Sequence, residues 1–201
     1  STICNKQIIL TCSAHGISFN LQTPDILGNG IEEWFGHWMT SKSISWSTPS
    51  NTQIYPDFII NKHNLEVKTF NIDASAAFDI ANFKALIDSL TIDAVRLDTD
   101  YLVISWKRVG DKFYFGEHAF FKIWELVNTM KDAKEGLLTH QAKRGTIVNL
   151  RPRGTLLKGK SFKTLTRLQF VIGLTKTIDY FSNQLIKSDT QYKASADWLR
   201  L

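Results

Sequence analysis

The sequence predicts an α/β fold in which a mixed central β-sheet is flanked by helices. Three observations lead there. Apolar residues recur at helical spacing in some segments and in short strand-like runs in others. The strand-like runs come in pairs separated by turn-forming residues. Finally, 201 residues with 43% hydrophobic content suffice for one core burying about 70% of the unfolded surface without disulfides or metals. The expected organisation is a single domain over 1–201, with a core over 25–110.

Ile31, Trp34, Phe35 and Trp38 fall at i, i+3, i+4 and i+7, so residues 25–40 read as an amphipathic helix. Residues 42–52 read as a loop. Residues 54–60 and 65–70 are two strand-like runs around the turn-rich Asn61-Lys62-His63-Asn64, a hairpin. Residues 76–90 read as a second amphipathic helix. Residues 101–107 read as a strand and 112–116 as another, turned by Gly110-Asp111. A third helix is expected over 117–130, a short strand over 146–150, and one or two helices over 161–186.

No apolar run of about 20 residues occurs, so neither a membrane span nor an export signal is expected. Cys4 and Cys12 form no metal-ligand pattern and fit a reducing compartment. The five histidines, at 15, 37, 63, 118 and 140, show no ligand spacing. Gly159-Lys160-Ser161 lacks the glycine spacing of a phosphate loop, so no nucleotide cofactor is expected. Most of the six tryptophans sit in periodic apolar segments and read as core; Trp46, in a polar loop, is the one placed to touch a ligand.

Charge is unevenly distributed. Residues 1–100 carry 6 Lys and Arg against 11 Asp and Glu, and residues 101–201 carry 18 against 8. Between Glu135 and Asp179 there are nine bases and no acid. Such a tract, within 136–178, suits a polyanion, because neutralised phosphates release counterions.

The hairpin gives chemistry. If 61–64 form a four-residue turn closed by Ile60 opposite Leu65, Ile59 faces Glu66 and Asp57 faces Lys68. Asp57, Glu66 and Lys68 then share one face, and Phe58, Ile60, Leu65 and Val67 the other. Any even-length turn keeps this parity. Two close carboxylates call for a cation, since like charges raise each other's pKa. They offer hard oxygen ligands to Mg²⁺. A lysine beside them can hold a water or offset charge in a phosphoryl transition state.

Pro56-Asp57, followed after eight intervening residues by Glu66-Val67-Lys68, resembles the PD-(D/E)xK nuclease superfamily and within it is most similar to type II restriction endonucleases. The framing is similar too: a preceding helix with Glu32 and Glu33, a hairpin, a following helix, then the strand YLVISW. The order through IVNLRPRG is similar to the blunt-cutting branch. The resemblance implies a restriction-endonuclease-like core and Mg²⁺-dependent cleavage of double-stranded DNA at a short specific site, leaving a 5′-phosphate and a 3′-hydroxyl. It also implies a homodimer and a prokaryotic cytoplasm. Asp57 and Glu66 would be metal ligands with the Val67 carbonyl as a third, and Lys68 the catalytic lysine. Many members add an acid from the preceding helix. Glu32 flanks the apolar stripe whereas Glu33 points away, which makes Glu32 the better candidate.

Base reading needs long polar side chains on loops. Two stretches qualify: Asn71, Asp73 and Ser75 after the motif strand, and Gln141, Lys143, Arg144, Arg151 and Arg153, joined by Lys158 and Lys160. Each base could equally clamp a phosphate. Three other readings stay open: a junction resolvase or repair nickase, a non-catalytic DNA-binding module, and an RNA-processing nuclease.

Overall fold

A computed structural model describes residues 3–50, 55–130, 136–144, 146–157 and 164–185. In chain order the elements are β1 (Gln7–Ile8), β2 (Thr11–Ala14), β3 (Ile17–Asn20), α1 (Leu27–Ser41), β4 (Phe58–Ile60), β5 (His63–Asn71), β6 (Ala81–Asn82), α2 (Phe83–Ile92), β7 (Asp100–Val109), β8 (Lys112–Lys122), α3 (Ile123–Leu126), β9 (His140–Lys143), β10 (Thr146–Leu150) and α4 (Arg167–Leu185). The expected α/β class holds. No helix among the described residues is long and apolar enough to cross a membrane.

Packing divides the chain into two compact units. The first draws on Ser1–Ala76 and Asp100–Phe120 and contains a five-stranded sheet in the order β1-β8-β7-β5-β4. β5 runs parallel to β7, whereas β4 pairs with β5, and β1 with β8, in antiparallel fashion, so the sheet is mixed. Tyr101 through Trp106 are all buried, as a central strand covered on both faces requires. α1 buries Leu27, Ile31, Phe35, Gly36 and Met39, a stripe of period 3.6. Their cluster includes Phe58, Leu65, Val67, Leu102 and Ile104 from the sheet. Each large aliphatic side chain so buried contributes roughly 1.5–3 kcal/mol. Trp46 is part of this packing: a Cβ on Gly36 would lie 3.1 Å from its ring, and its Nε1–H donates to the Thr40 hydroxyl at 3.0 Å. Its indole is therefore committed internally.

In the second unit, β6, β10 and β9 form a three-stranded sheet. Phe83, Leu86, Ile87 and Leu90 of α2 and Phe170, Leu174, Ile178 and Phe181 of α4 are buried. α2 starts later than the expected 76–90 because Asn82 caps it, its side chain accepting from the Ala85 N–H at 3.0 Å. The residues before it are used otherwise, with Ile80 N–H donating to Leu150 O and Ala81–Asn82 pairing with β10. The expected helix over 117–130 is corrected more strongly. β8 runs on through Lys122, where the Glu125 carboxylate accepts from the Lys122 N–H at 2.7 Å and starts only the short α3. The C-terminal helical expectation resolves into one helix, α4.

The motif hairpin also differs in detail. Phe58 pairs with Leu65, Ile59 with Asn64 and Ile60 with His63, so the turn has two residues rather than four. Asn61 and Lys62 take φ of 49° and 68°, both positive as a type I′ turn requires. The register slips by two and the parity survives.

Candidate active site

β4, β5 and α1, all in the first unit, position the site. One hairpin face carries Phe58, Leu65 and Val67 into the core, with Ile60 packed against it. The opposite face gathers the polar groups. Continuing the register one step beyond Phe58 and Leu65 sets Asp57 beside Glu66, not Lys68. The Val67 N–H donates to Asp57 Oδ2 at 2.7 Å, locking the carboxylate onto the edge of β5. In an extended strand a residue's N–H and C=O point to the same side, so the Val67 carbonyl lies on Asp57's side as well.

Lys68 Nζ sits 2.6 Å from Glu66 Oε2 and 3.8 Å from Asp57 Oδ2. Glu66 is only 6% exposed, and so deep a carboxylate needs a cation. Burial works to lower the Lys68 pKa, but the carboxylates of Glu66 and Asp57 outweigh it and hold the ammonium above its ordinary value. The lysine is charged at neutral pH.

Glu32 is half-buried on α1 and Glu33 is exposed, the division the helical wheel anticipates. Burial first, then the fields of Asp57 and Glu66, push the Glu32 carboxyl up to about 7, against a lowering influence from Lys68. The pocket thus holds more negative charge than one ammonium neutralises.

This is what fits the site to a hard divalent cation. No three His, Cys, Asp or Glu side chains among the described residues converge to hold a metal. The available donors are two carboxylates and a backbone carbonyl, and Mg²⁺ keeps several waters and takes few protein ligands.

The proposed DNA-contacting residues are scattered. Asn71 ends β5, and its side chain accepts from the Asp73 N–H at 3.0 Å, which shapes the exposed turn holding Asp73 and Ser75. Gln141, Lys143, Arg144, Arg151 and Arg153 lie in the second unit. Gln141 accepts from Asn149 at 3.1 Å and from Arg151 Nη2 at 3.0 Å. Arg151 also pairs with Asp79 at 2.9 Å and donates to the Ala77 carbonyl. Arg153 is 6% exposed, with Nη2 donating to the Glu125 carbonyl at 2.7 Å, and burial pulls its pKa down to about 10. Arg151 and Arg153 are engaged inside their unit, whereas Lys143 and Arg144, at the tip between β9 and β10, are exposed. Lys158 and Lys160 lie outside the described residues.

The family model of the NgoBV restriction endonuclease matches residues 4–199. Among curated proteins, the chain is 34% identical over 134 residues to the type II restriction enzyme NlaIV of Neisseria lactamica, an alignment covering 64% of this chain and 54% of that protein. It is 42% identical over 76 residues to the type II restriction enzyme NgoBV of Neisseria gonorrhoeae, covering 35% and 43% respectively. The alignments thus span about half the length of these relatives. The solved NlaIV restriction endonuclease superposes with a TM-score of 0.80 at 25% identity, covering 98% of this chain and 82% of that one.

Proposed function

The chain belongs to the NgoBV restriction endonuclease family, and from that footing we propose that it is a type II restriction endonuclease hydrolysing double-stranded DNA at a short specific site. The observation that carries the reading is the convergence of Asp57, Glu66 and Lys68 on one face of a single hairpin. Enzymes of this kind generally use divalent metal ions; here Asp57, Glu66 and the Val67 carbonyl would hold Mg²⁺. When bound, it supplies Lewis acidity, neutralising phosphate charge and lowering the pKa of a water.

The protein's own groups do the rest. Asp57 is preset by the Val67 N–H, so it need not reorganise. The Lys68 ammonium, charged and half-buried beside both acids, orients the attacking water and offsets charge on the phosphoryl oxygens. Water adds to phosphorus as the bond to the 3′ oxygen breaks, leaving a 5′-phosphate and a 3′-hydroxyl. Glu32, on α1, feels the charges of Asp57, Glu66 and Lys68 and adds to the negative field of the site without joining the two acids as a metal ligand. The exposed Lys143 and Arg144 clamp backbone phosphates, and the turn at Asn71, Asp73 and Ser75 faces the duplex. A homodimer in the cytoplasm of a prokaryotic cell, with one site per strand, completes the picture.

A substrate panel tests it. Purified protein stripped with EDTA is given Mg²⁺ and offered linear duplex DNA, a four-way junction, single-stranded DNA and RNA. Cleavage of duplex at fixed positions, only with metal, supports the reading. Preferential cutting of the junction or of RNA would replace it with one of the related nuclease readings.

A further inference from the structure

The β9–β10 pair, in the second unit, has two chemically distinct faces. His140 pairs with Leu150; Leu150 is buried, and the His140 ring packs edge-on against Phe181 of α4 with centroids 5.0 Å apart. Gln141 pairs with Asn149, so these two side chains share the other face. Alternation sets Lys143 on that face as well. Arg151, two residues past Asn149, reaches the same amide.

The hydrogen bonds on this face have a fixed polarity. Arg151 Nη2 donates to Gln141 Oε1 at 3.0 Å, and Asn149 Nδ2 donates to the same oxygen at 3.1 Å. A guanidinium has no acceptor, so the Gln141 oxygen must face Arg151 and its NH₂ group must face away. Two donors on one oxygen take both acceptor positions of Gln141. The Asn149 NH₂ is committed to that oxygen, which turns Asn149 Oδ1 outward. Arg151 is itself held by Asp79 at 2.9 Å and by the Ala77 carbonyl. Among the described residues, neither the Gln141 NH₂ nor Asn149 Oδ1 has a protein partner, and both side chains are only half-buried. The result is a donor beside an acceptor, already ordered in the free protein, so that binding need not order them.

We infer that Gln141 determines specificity by reading a guanine in the major groove, and that Arg151 is the positioning residue that makes it a donor. A glutamine with both ends available bonds bidentately to adenine, accepting from N6 and donating to N7. Here the acceptor is saturated, so adenine N6 and cytosine N4 find nothing to donate to. Guanine presents two acceptors, N7 and O6, to the outward NH₂; thymine presents only O4, beside a methyl group. Asn149 Oδ1, on the adjacent strand, is the acceptor for the N4–H of the paired cytosine. Donor beside acceptor thus matches acceptor beside donor along the edge of one G·C pair. The major groove admits a two-stranded ribbon, and the exposed Lys143 and Arg144 at its tip supply the phosphate contacts that position without specifying. The inference rests on the reading of this chain as a protein that acts on duplex DNA.

The test is selection of bound duplexes from a randomised pool in Mg²⁺. The full chain carries Lys68→Ala, which removes the proposed catalytic lysine so that bound DNA survives, and is used alone or with Gln141→Glu. Glutamate keeps an oxygen for Arg151 and Asn149 but turns the outward group from donor to acceptor, so the melting temperature is expected to hold. The parent is expected to select a site containing a guanine whose preference over the other bases falls by about 10-fold or more in Gln141→Glu, in favour of cytosine, whose N4 donates to a carboxylate. Replacing that guanine with 7-deazaguanine, which lacks the N7 acceptor, is expected to weaken the parent by about 10-fold and to leave Gln141→Met indifferent. A merely structural Gln141 would leave the sensitivity at that one position unchanged. No selected site, the same site with Gln141→Glu, equal weakening on all sequences, or an adenine at the affected position overturns the inference. Specific binding by a wild type that cuts nothing in Mg²⁺ would remove the nuclease reading and leave Gln141 standing. Discrete cutting, with the site unchanged in Gln141→Glu, would do the reverse.

Discussion

Asp57 has one observed role and one proposed role, and they separate experimentally. Its Oδ2 accepts the Val67 N–H, a structural task an amide oxygen also performs, while the proposed role as a metal ligand needs its charge. Asp57→Asn is therefore expected to keep the thermal midpoint close to wild type and abolish Mg²⁺-dependent cleavage; an Asn variant that cuts normally would remove Asp57 from the metal. Lys68→Ala is expected to slow cleavage by about 10²-fold or more, as loss of one electrostatic or acid–base group does, read as single-turnover rates. Glu32 gives a pH signature in the metal-free protein. Its folded pKa of about 7 lies above its ordinary 4.5, so the native state binds more protons between those values and stability falls as pH rises through that window. Glu32→Gln is thus expected to raise the melting temperature in EDTA at pH 8 and to leave it unchanged near pH 4.5; equal shifts at both pH values would contradict this. The Asp57, Glu66 and Lys68 trio was legible in the sequence because side-chain alternation depends only on parity. Their pairing was not, because turn length decides whether Asp57 meets Lys68 or Glu66.

At the scale of elements, the hairpin turn is the point where sequence reasoning and structure part. Asn61 and Lys62 both adopt the left-handed conformation, which glycine takes at least cost. Lys62→Gly, completing an Asn-Gly type I′ pair, is expected to stabilise the fold by up to about 1 kcal/mol in denaturant titration, with activity retained. Destabilisation would mean the Lys62 side chain does something the backbone does not show. Helix α1 was readable because its stripe from Leu27 to Met39 is long and periodic. The segment over 117–130 was misread because Phe120, Phe121 and Trp124 give a helix-like spacing while the backbone continues as β8 to Lys122. Sheet pairing with distant residues decides such short runs, and no local pattern reports it. The N-terminal β2–β3 pair escaped notice for a different reason: its alternation covers only four residues per strand.

At the scale of the molecule, the basic tract marks one half of the chain as the proposed DNA-facing part but does not sort its members. Arg151 is held by Asp79, Gln141 and the Ala77 carbonyl, so Arg151→Ala is expected to lower the melting temperature. Replacing Lys143 and Arg144 together with Ala is expected to leave it unchanged while reducing the salt slope of DNA binding by up to about 2. An unchanged slope would take the β9–β10 tip out of the DNA interface. Buried arginines look like exposed ones in a sequence, since only tertiary partners such as the Glu125 carbonyl of Arg153 tell them apart. The central claim is that this chain cuts DNA at a defined site with the Asp57–Glu66–Lys68 face, and one digestion addresses it. Phage DNA is incubated with wild type and with Asp57→Asn, with and without Mg²⁺, and the fragment ends are sequenced. The account predicts discrete fragments sharing one short terminal sequence, seen only with wild type and Mg²⁺. Identical fragments from Asp57→Asn, or no fragments from wild type across several unmodified DNAs, would contradict it.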